Sequence, residues 1–143
     1  MNIKITKATK ENISDIAMIE KACFSTAWTQ ESIADSISNE SAYFNIAYAD
    51  NQPAGYMSMQ VCCGEGDIMR VAVLPDFRRF GIGRALLTEC FSVNKPDAVF
   101  LDVRENNVPA IKLYESFGFE KIGVRKNYYS NPTENAVMMK KEL

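Results

Sequence analysis

Arg78-Arg79-Phe80-Gly81-Ile82-Gly83-Arg84 gathers two glycines and three arginines into one short stretch. It follows an apolar, strand-like run, Ile68-Met69-Arg70-Val71-Ala72-Val73-Leu74, and leads into a helical pattern, Arg84-Ala85-Leu86-Leu87-Thr88-Glu89-Cys90-Phe91. A strand, a glycine-bearing loop and a helix start together form an anion cradle. The glycines let the main chain come close to a ligand, and the helix start supplies unpaired N–H groups and partial positive charge. The chemistry this implies is binding of a phosphate-bearing ligand. The plainer alternative is a solvated basic turn that caps a helix. The stretch lacks the Gly-Lys-Ser/Thr of a nucleotide P-loop, and it lacks the three glycines of the dinucleotide fingerprint.

The form R-x-x-G-x-G, with Arg84 directly after it, resembles the acetyl-CoA pyrophosphate loop of the GNAT acetyltransferases. A second segment, Asn107-Val108-Pro109-Ala110-Ile111-Lys112-Leu113-Tyr114-Glu115-Ser116-Phe117-Gly118-Phe119, matches that family's later signature, N-x-x-A-x-x-x-Y-x-x-x-G-F. Both stand in the family's order and spacing, and the resemblance runs from Ile3 to the C-terminus. Phe24-Ser25-Thr26-Ala27-Trp28-Thr29 resembles the F-x-x-x-W-[ST] segment of the bacterial RimI-type N-terminal acetyltransferases. Leu101-Asp102-Val103-Arg104 resembles their L-E-V-R strand. Arg125-Lys126-Asn127-Tyr128-Tyr129, with Pro132 and Glu134-Asn135-Ala136, resembles their R-x-N-Y-Y…P…E-D-A tail.

The resemblance implies an α/β (α+β) GNAT fold, with a central mixed, mostly antiparallel sheet flanked by helices. It implies transfer of an acetyl group from acetyl-CoA to a protein N-terminal α-amine, specifically the N-terminal alanine of a small-subunit ribosomal protein. The coenzyme would be held by the main chain of Val71, Ala72 and Val73, by the loop Arg78, Arg79, Phe80, Gly81, Ile82, Gly83 and Arg84, and by Asn107. One strand N–H, that of Val73, would polarise the thioester carbonyl.

Acetyl transfer to an amine has three needs: a neutral amine, donors for the oxyanion and a proton for the departing thiolate. The chain has no histidine, which leaves carboxylates, tyrosines, cysteines or water. Tyr114 matches the family tyrosine that protonates the coenzyme sulfur; alone, it would read as a helix tyrosine with its ring in the core. Asp102 stands where the RimI pattern has glutamate and is the candidate base. On a strand its side chain points away from those of Leu101 and Val103. It is one methylene shorter than glutamate, so a water can bridge it to the amine. A terminal amine, with a reference pKa of about 8 against about 10.4 for lysine, needs only a weak base. The competing role for Asp102 is pairing with Arg104 or another surface group. Cys62 and Cys63 raise an acyl-cysteine intermediate, but no activator accompanies them. They read as buried strand cysteines, and direct transfer in a ternary complex is expected.

By the same resemblance, Trp28, Tyr128 and Tyr129 help form a peptide cleft, with the tyrosine pair in a loop-prone stretch rich in Asn and Pro. Glu31 and Asp35 suit either a basic peptide or a solvated helix face. Two other readings stay open: a GNAT enzyme acting on a small amine or lysine side chain, and a coenzyme-binding module without turnover.

The elements that must position these residues follow from periodicity and turn chemistry. Ile3–Thr6 predicts a short strand. Asn12 or Ser14 caps a first helix, with Ile13, Ile16, Ile19 and Cys23 near one face. Thr29 caps a second helix reaching Asn39. Strands are expected over Tyr43–Ala49, Ala54–Cys63, Asp67–Leu74 and Val99–Val103, with a turn at Asp50–Pro53. The helix after the glycine loop places Ile82, Leu86, Cys90 and Val93 on one stripe. Asn107 opens a helix with Pro109 in its first turn, Gly118 ends it, and Lys121–Arg125 pairs with Ala136–Lys140.

With 143 residues and 47% hydrophobic content, the chain reads as one domain, 1–143, with room for a core. A net charge of −2 provides no basic field for nucleic acid, so none is expected to bind directly. The N-terminal residues alternate polar and apolar, unlike a targeting segment, and no run approaches membrane-spanning length. Cys23, Cys62, Cys63 and Cys90 form no C-x-x-C pair, so neither a metal nor structural disulfides are expected. The expected protein is cytoplasmic, without membrane association, and a monomer or weak dimer.

Overall fold

A computed structural model describes residues 1–143. The elements in order are β1 (Ile3–Lys7), α1 (Ile13–Cys23), α2 (Gln30–Ile37), β2 (Ala42–Ala49), β3 (Gln52–Cys62), β4 (Glu65–Val73), α3 (Ile82–Val93), β5 (Ala98–Arg104), α4 (Val108–Ser116), β6 (Glu120–Tyr129) and β7 (Glu134–Glu142). The strands form a single mixed sheet in the order β1-β2-β3-β4-β5-β7-β6. Only the β4–β5 pair is parallel; hairpins account for most of the rest.

Local chemistry explains many of the boundaries. The Thr29 hydroxyl accepts from Ser32 N at 3.1 Å and starts α2. Asn107 Oδ1 accepts from Ala110 N at 3.3 Å and starts α4, and Gly118, at φ +94°, ends the turn that follows it. Before α1, Thr9 and Asn12 form a reciprocal capping box around a short 3-10 turn. Asn12 therefore spends its side chain on Thr9 N and on the Tyr48 hydroxyl rather than on capping α1.

Each face of the sheet carries helices. Ile82, Leu86, Leu87 and Cys90 of α3, with Tyr114 of α4, pack on Met57, Met59, Leu101, Val103 and Met139. On the opposite face Ile16 and Ile19 of α1 and Ile33 of α2 pack on Phe44, Ile46, Tyr56 and Ala72. β2 and β3 divide their side chains between these two cores, whereas the inward residues of β5, Val99, Leu101 and Val103, all join the first. No helix is long and apolar enough to cross a membrane.

Three expectations change. Cys62 and Cys63 are exposed, not buried. Cys63 and Gly64 have φ of +55° and +82°, which is the two-residue hairpin geometry, so the pair sits at a turn beyond the core. Val93 is 58% exposed; as the last residue of α3 it extends past the sheet, and Leu87 fills the stripe instead. Tyr128 and Tyr129 belong to β6, which runs past Arg125 through an irregular register with β7.

Candidate functional site

The site originates where two strands part. β4 and β5 pair in register only from Glu65 with Ala98 to Ile68 with Leu101, although both strands continue. On its other edge β4 carries a bulge at Met69, because Met59 pairs with Ile68 while Ser58 pairs with Arg70. Bulges bend a strand and re-aim its side chains. Beyond it, Ala72 joins the α1–α2 core while Val71 and Val73 pack toward α3 and α4. The main-chain edge of β4 that faces β5 is left without a strand partner. A cleft of about 620 Å³ fills the gap, with Val71, Asp102, Asn107, Tyr114, Tyr128 and Tyr129 among its walls.

At the end of β4 the chain enters the glycine loop. Arg78 Nε donates to Val73 O at 2.9 Å and fastens the loop to the strand. Arg79 and Gly81 take left-handed conformations, with φ of +70° and +78°. Phe80 is exposed, while Ile82 is buried and anchors the start of α3. Gly81 is the cap residue of α3 and no side chain caps it. The first helical bond there runs from Ala85 N to Gly81 O at 3.0 Å, so the N–H groups of Ile82, Gly83 and Arg84 have no helical acceptor. A Cβ on Gly81 would meet nothing within 4 Å, whereas one on Gly83 would lie 3.2 Å from Leu113. An open, uncapped helix start beside an unpaired strand edge fits a diphosphate with an extended arm. Arg84 is turned away from the loop: it donates to Ser116 Oγ at 2.8 Å and lies over the Phe117 ring.

Tyr114 comes from α4 and Asp102 from β5. Tyr114 is 7% exposed, with its ring edge-on to Phe119. Its hydroxyl has no protein partner, yet it is not sealed from the cleft. Burial raises its pKa, and neighbouring Tyr129 adds to the shift. Asp102 faces away from the buried Leu101 and Val103, as strand alternation requires. Its partner is Arg125, with Nε to Oδ1 at 3.3 Å. Arg104 pairs instead with Glu134, at 3.1 Å.

The Arg104 guanidinium also donates to Pro132 O at 2.9 Å and Ser130 O at 3.0 Å, and it lies under the Tyr129 ring. Burial first, then Asp102, pushes the Tyr129 phenol up to about 12. Tyr128 stacks edge-on against Tyr129 and is 54% exposed. Trp28 closes the opposite wall, and its main-chain N–H donates to Glu20 Oε1 at 2.8 Å. Asn107 shares its side chain between capping α4 and lining the cleft.

Sequence reasoning missed several wall residues. Phe24 and Arg70 line the cleft, and Glu20 is fully buried beneath them. Two signals were present: a carboxylate among the apolar positions of α1, and an arginine inside an apolar strand.

The comparisons with known proteins agree with this geometry. The acetyltransferase (GNAT) family model matches residues 13–119. The ribosomal protein bS18-alanine N-acetyltransferase of Escherichia coli (strain K12) is 33% identical over 127 residues, covering 85% of this chain and 84% of the relative. The crystal structure of the ribosomal-protein-S18-alanine N-acetyltransferase from Escherichia coli superposes with a TM-score of 0.90 at 27% identity, covering 99% of this chain and 94% of that one. Arabidopsis thaliana Naa50, in complex with the bisubstrate analogue CoA-Ac-MVNAL, superposes with a TM-score of 0.83 at 25% identity and full coverage of both chains.

Proposed function

The chain belongs to the acetyltransferase (GNAT) family, and from that membership we propose that it acetylates protein N-terminal α-amines, with the N-terminal alanine of a small-subunit ribosomal protein as its acceptor. It is an acetyl-CoA-dependent N-acetyltransferase. The observation that supports the α-amine reading is the placement of Asp102 and Tyr114 in one cleft whose outer walls are aromatic: Trp28 on one side, Tyr128 and Tyr129 on the other. Such walls suit a peptide chain. The relatives that act on the alanine of bS18 support the choice of acceptor.

In this reading acetyl-CoA supplies the activated acyl group. The uncapped N–H groups of Ile82, Gly83 and Arg84, with the main chain of Phe80 and Gly81 and the side chains of Arg78 and Arg79, hold its diphosphate. The free edge of β4 at Val71, Ala72 and Val73 aligns the arm, Asn107 contacts it, and a strand N–H polarises the carbonyl. Asp102 takes the proton from the acceptor amine, directly or through one water. Tyr114 gives its proton to the departing sulfur. The phenol is protonated at neutral pH, which is the state an acid needs, and burial extends that state to higher pH. The transfer is direct, within a ternary complex; Cys62 and Cys63 sit at a distant turn and take no part. Residues 1–143 act as one acetyltransferase domain, monomeric or weakly dimeric, and a ribosomal acceptor places the reaction in the cytoplasm.

The test is an acetyl-CoA assay against a panel of peptides differing in the first residue, with mass spectrometry locating the acetyl group. The expected product carries it on the α-amine of an Ala-starting peptide. Acetylation of lysine side chains or polyamines alone would overturn the acceptor assignment.

A further inference from the structure

An arginine inside a sheet strand needs a reason to be there. Arg70 lies on β4 just past the bulge, on the face that carries α1, and it lines the cleft. Three contacts fix its guanidinium. Nε lies 3.3 Å from Glu20 Oε2. Nη2 donates to Thr26 O at 3.3 Å. The plane sits over the rings of Phe24 and Trp28, 4.0 and 4.5 Å from their centroids. Glu20 is held in turn by Trp28 N and the Tyr56 hydroxyl and has no exposure to solvent. Nε, despite its approach to Glu20, makes no hydrogen bond and is sealed from solvent, whereas Nη1 has no protein partner and is not sealed.

Arg70 therefore offers the cleft a rigid, unspent donor and the positive end of an ion pair whose negative end is buried behind it. The other charged groups in the walls, Asp102 and Arg104, are already paired, with Arg125 and Glu134. A guanidinium fixed in this way distinguishes acceptors by chemistry. A peptide carries a carbonyl oxygen at a set distance from its α-amine, and that oxygen accepts from Nη1. A polyamine has no such oxygen, and its second ammonium meets a like charge.

We infer that Arg70 is a specificity-determining residue: it donates Nη1–H to a main-chain carbonyl of the acceptor and so selects peptide α-amines over polyamines. The inference rests on the peptide-acceptor reading above. It assigns a role to a residue and a contact that the coenzyme loop and the Asp102–Tyr114 pair do not involve.

The experiment measures kcat and KM with an Ala-starting peptide and with spermidine. It compares the wild-type protein, Arg70→Lys, Arg70→Gln and the double variant Glu20→Gln/Arg70→Gln, with thermal melting and coenzyme KM as controls. Arg70→Lys keeps the charge beside Glu20 and loses the fork; the double variant removes the pair without stranding a buried carboxylate. Losing a charge-assisted hydrogen bond costs roughly tenfold or more in affinity. The peptide KM should therefore rise about tenfold in the double variant and less in Arg70→Lys, with kcat within about twofold. The coenzyme KM should stay unchanged, and the preference for peptide over spermidine should shrink by a similar factor. Unchanged peptide KM and unchanged preference in Arg70→Lys and the double variant would overturn the role of Arg70 while leaving the peptide reading intact. A wild-type protein that acetylates spermidine and no peptide would overturn both.

Discussion

Arg125 Nε donates to Asp102 Oδ1 at 3.3 Å, joining β6 to β5 over the intervening strand β7. Both side chains remain partly exposed, at 49% and 27%. An ion pair so open to solvent is worth less than about 1 kcal/mol. The contact therefore orients the carboxylate more than it stabilises the fold. Asp102→Asn keeps the shape and removes the proposed base. It should lower kcat for an Ala-starting peptide by about a hundredfold, leave coenzyme binding in place and barely move the melting temperature. Full kcat in Asp102→Asn would exclude it as the base.

Tyr114 is the complementary case. Its burial raises the phenol pKa above the ordinary value, which is about 10. In the proposed role the neutral form is the proton donor, so a raised pKa keeps such an acid competent further into alkaline pH. The kcat profile should show no descending limb from this group below about pH 10. Tyr114→Phe should slow turnover by at least about tenfold while coenzyme binding is spared. A descending limb near pH 8 that disappears in Tyr114→Phe would contradict the assignment of a raised pKa to this acid.

What the sequence made legible was local. The caps at Thr29 and Asn107 are readable because the hydroxyl or amide and its N–H target lie three residues apart. The loop around Gly81 and the helix bearing Tyr114 are contiguous motifs. The pairs that shape the cleft are not contiguous. Arg125 and Asp102 are 23 residues apart, and Arg104 and Glu134 are 30 apart. They meet only because β7 brings β6 alongside β5. Arg70 and Glu20 depend on a bulge that turns one side chain toward α1, and no pattern in the strand announces that turn. Cys62 and Cys63 show the converse error. Their apolar neighbours suggest a buried strand, but the turn geometry at Cys63 and Gly64 carries them out of the core.

Gly81 separates backbone strain from steric crowding. At φ +78° it occupies the left-handed region, and a Cβ there would touch nothing. Gly81→Ala should therefore cost about 1–2 kcal/mol of stability from conformation alone. The same strain opposes the loop shape that exposes the N–H groups of α3, so coenzyme KM should rise several-fold while kcat at saturation changes little. Calorimetry and kinetics on the same preparation check both halves. A normal coenzyme KM in a measurably destabilised variant would separate the loop conformation from coenzyme binding.

Glu134 offers a pH-dependent test of the wall itself. Its carboxylate accepts from Asn106 N at 2.6 Å and from Arg104 Nη1 at 3.1 Å. These contacts, the Asn106 N–H foremost, hold its pKa below the ordinary value. A depressed folded pKa means that the folded state binds the proton less readily than the unfolded chain. The stabilising contribution is therefore fully present above the unfolded value of about 4.3, and it is lost as pH falls through the lower folded value. Glu134→Gln removes the titration. Wild type should melt higher than the variant by a constant margin above about pH 5.5, and the margin should close below about pH 4. Because Glu134 helps fix Arg104, and Arg104 holds the Ser130 and Pro132 carbonyls and the Tyr129 ring, the variant should also raise the acceptor KM without altering that of the coenzyme. A margin that stays constant down to pH 3 would show that the carboxylate contributes nothing through its charge, and the wall would then rest on the Arg104 contacts to main-chain oxygen alone.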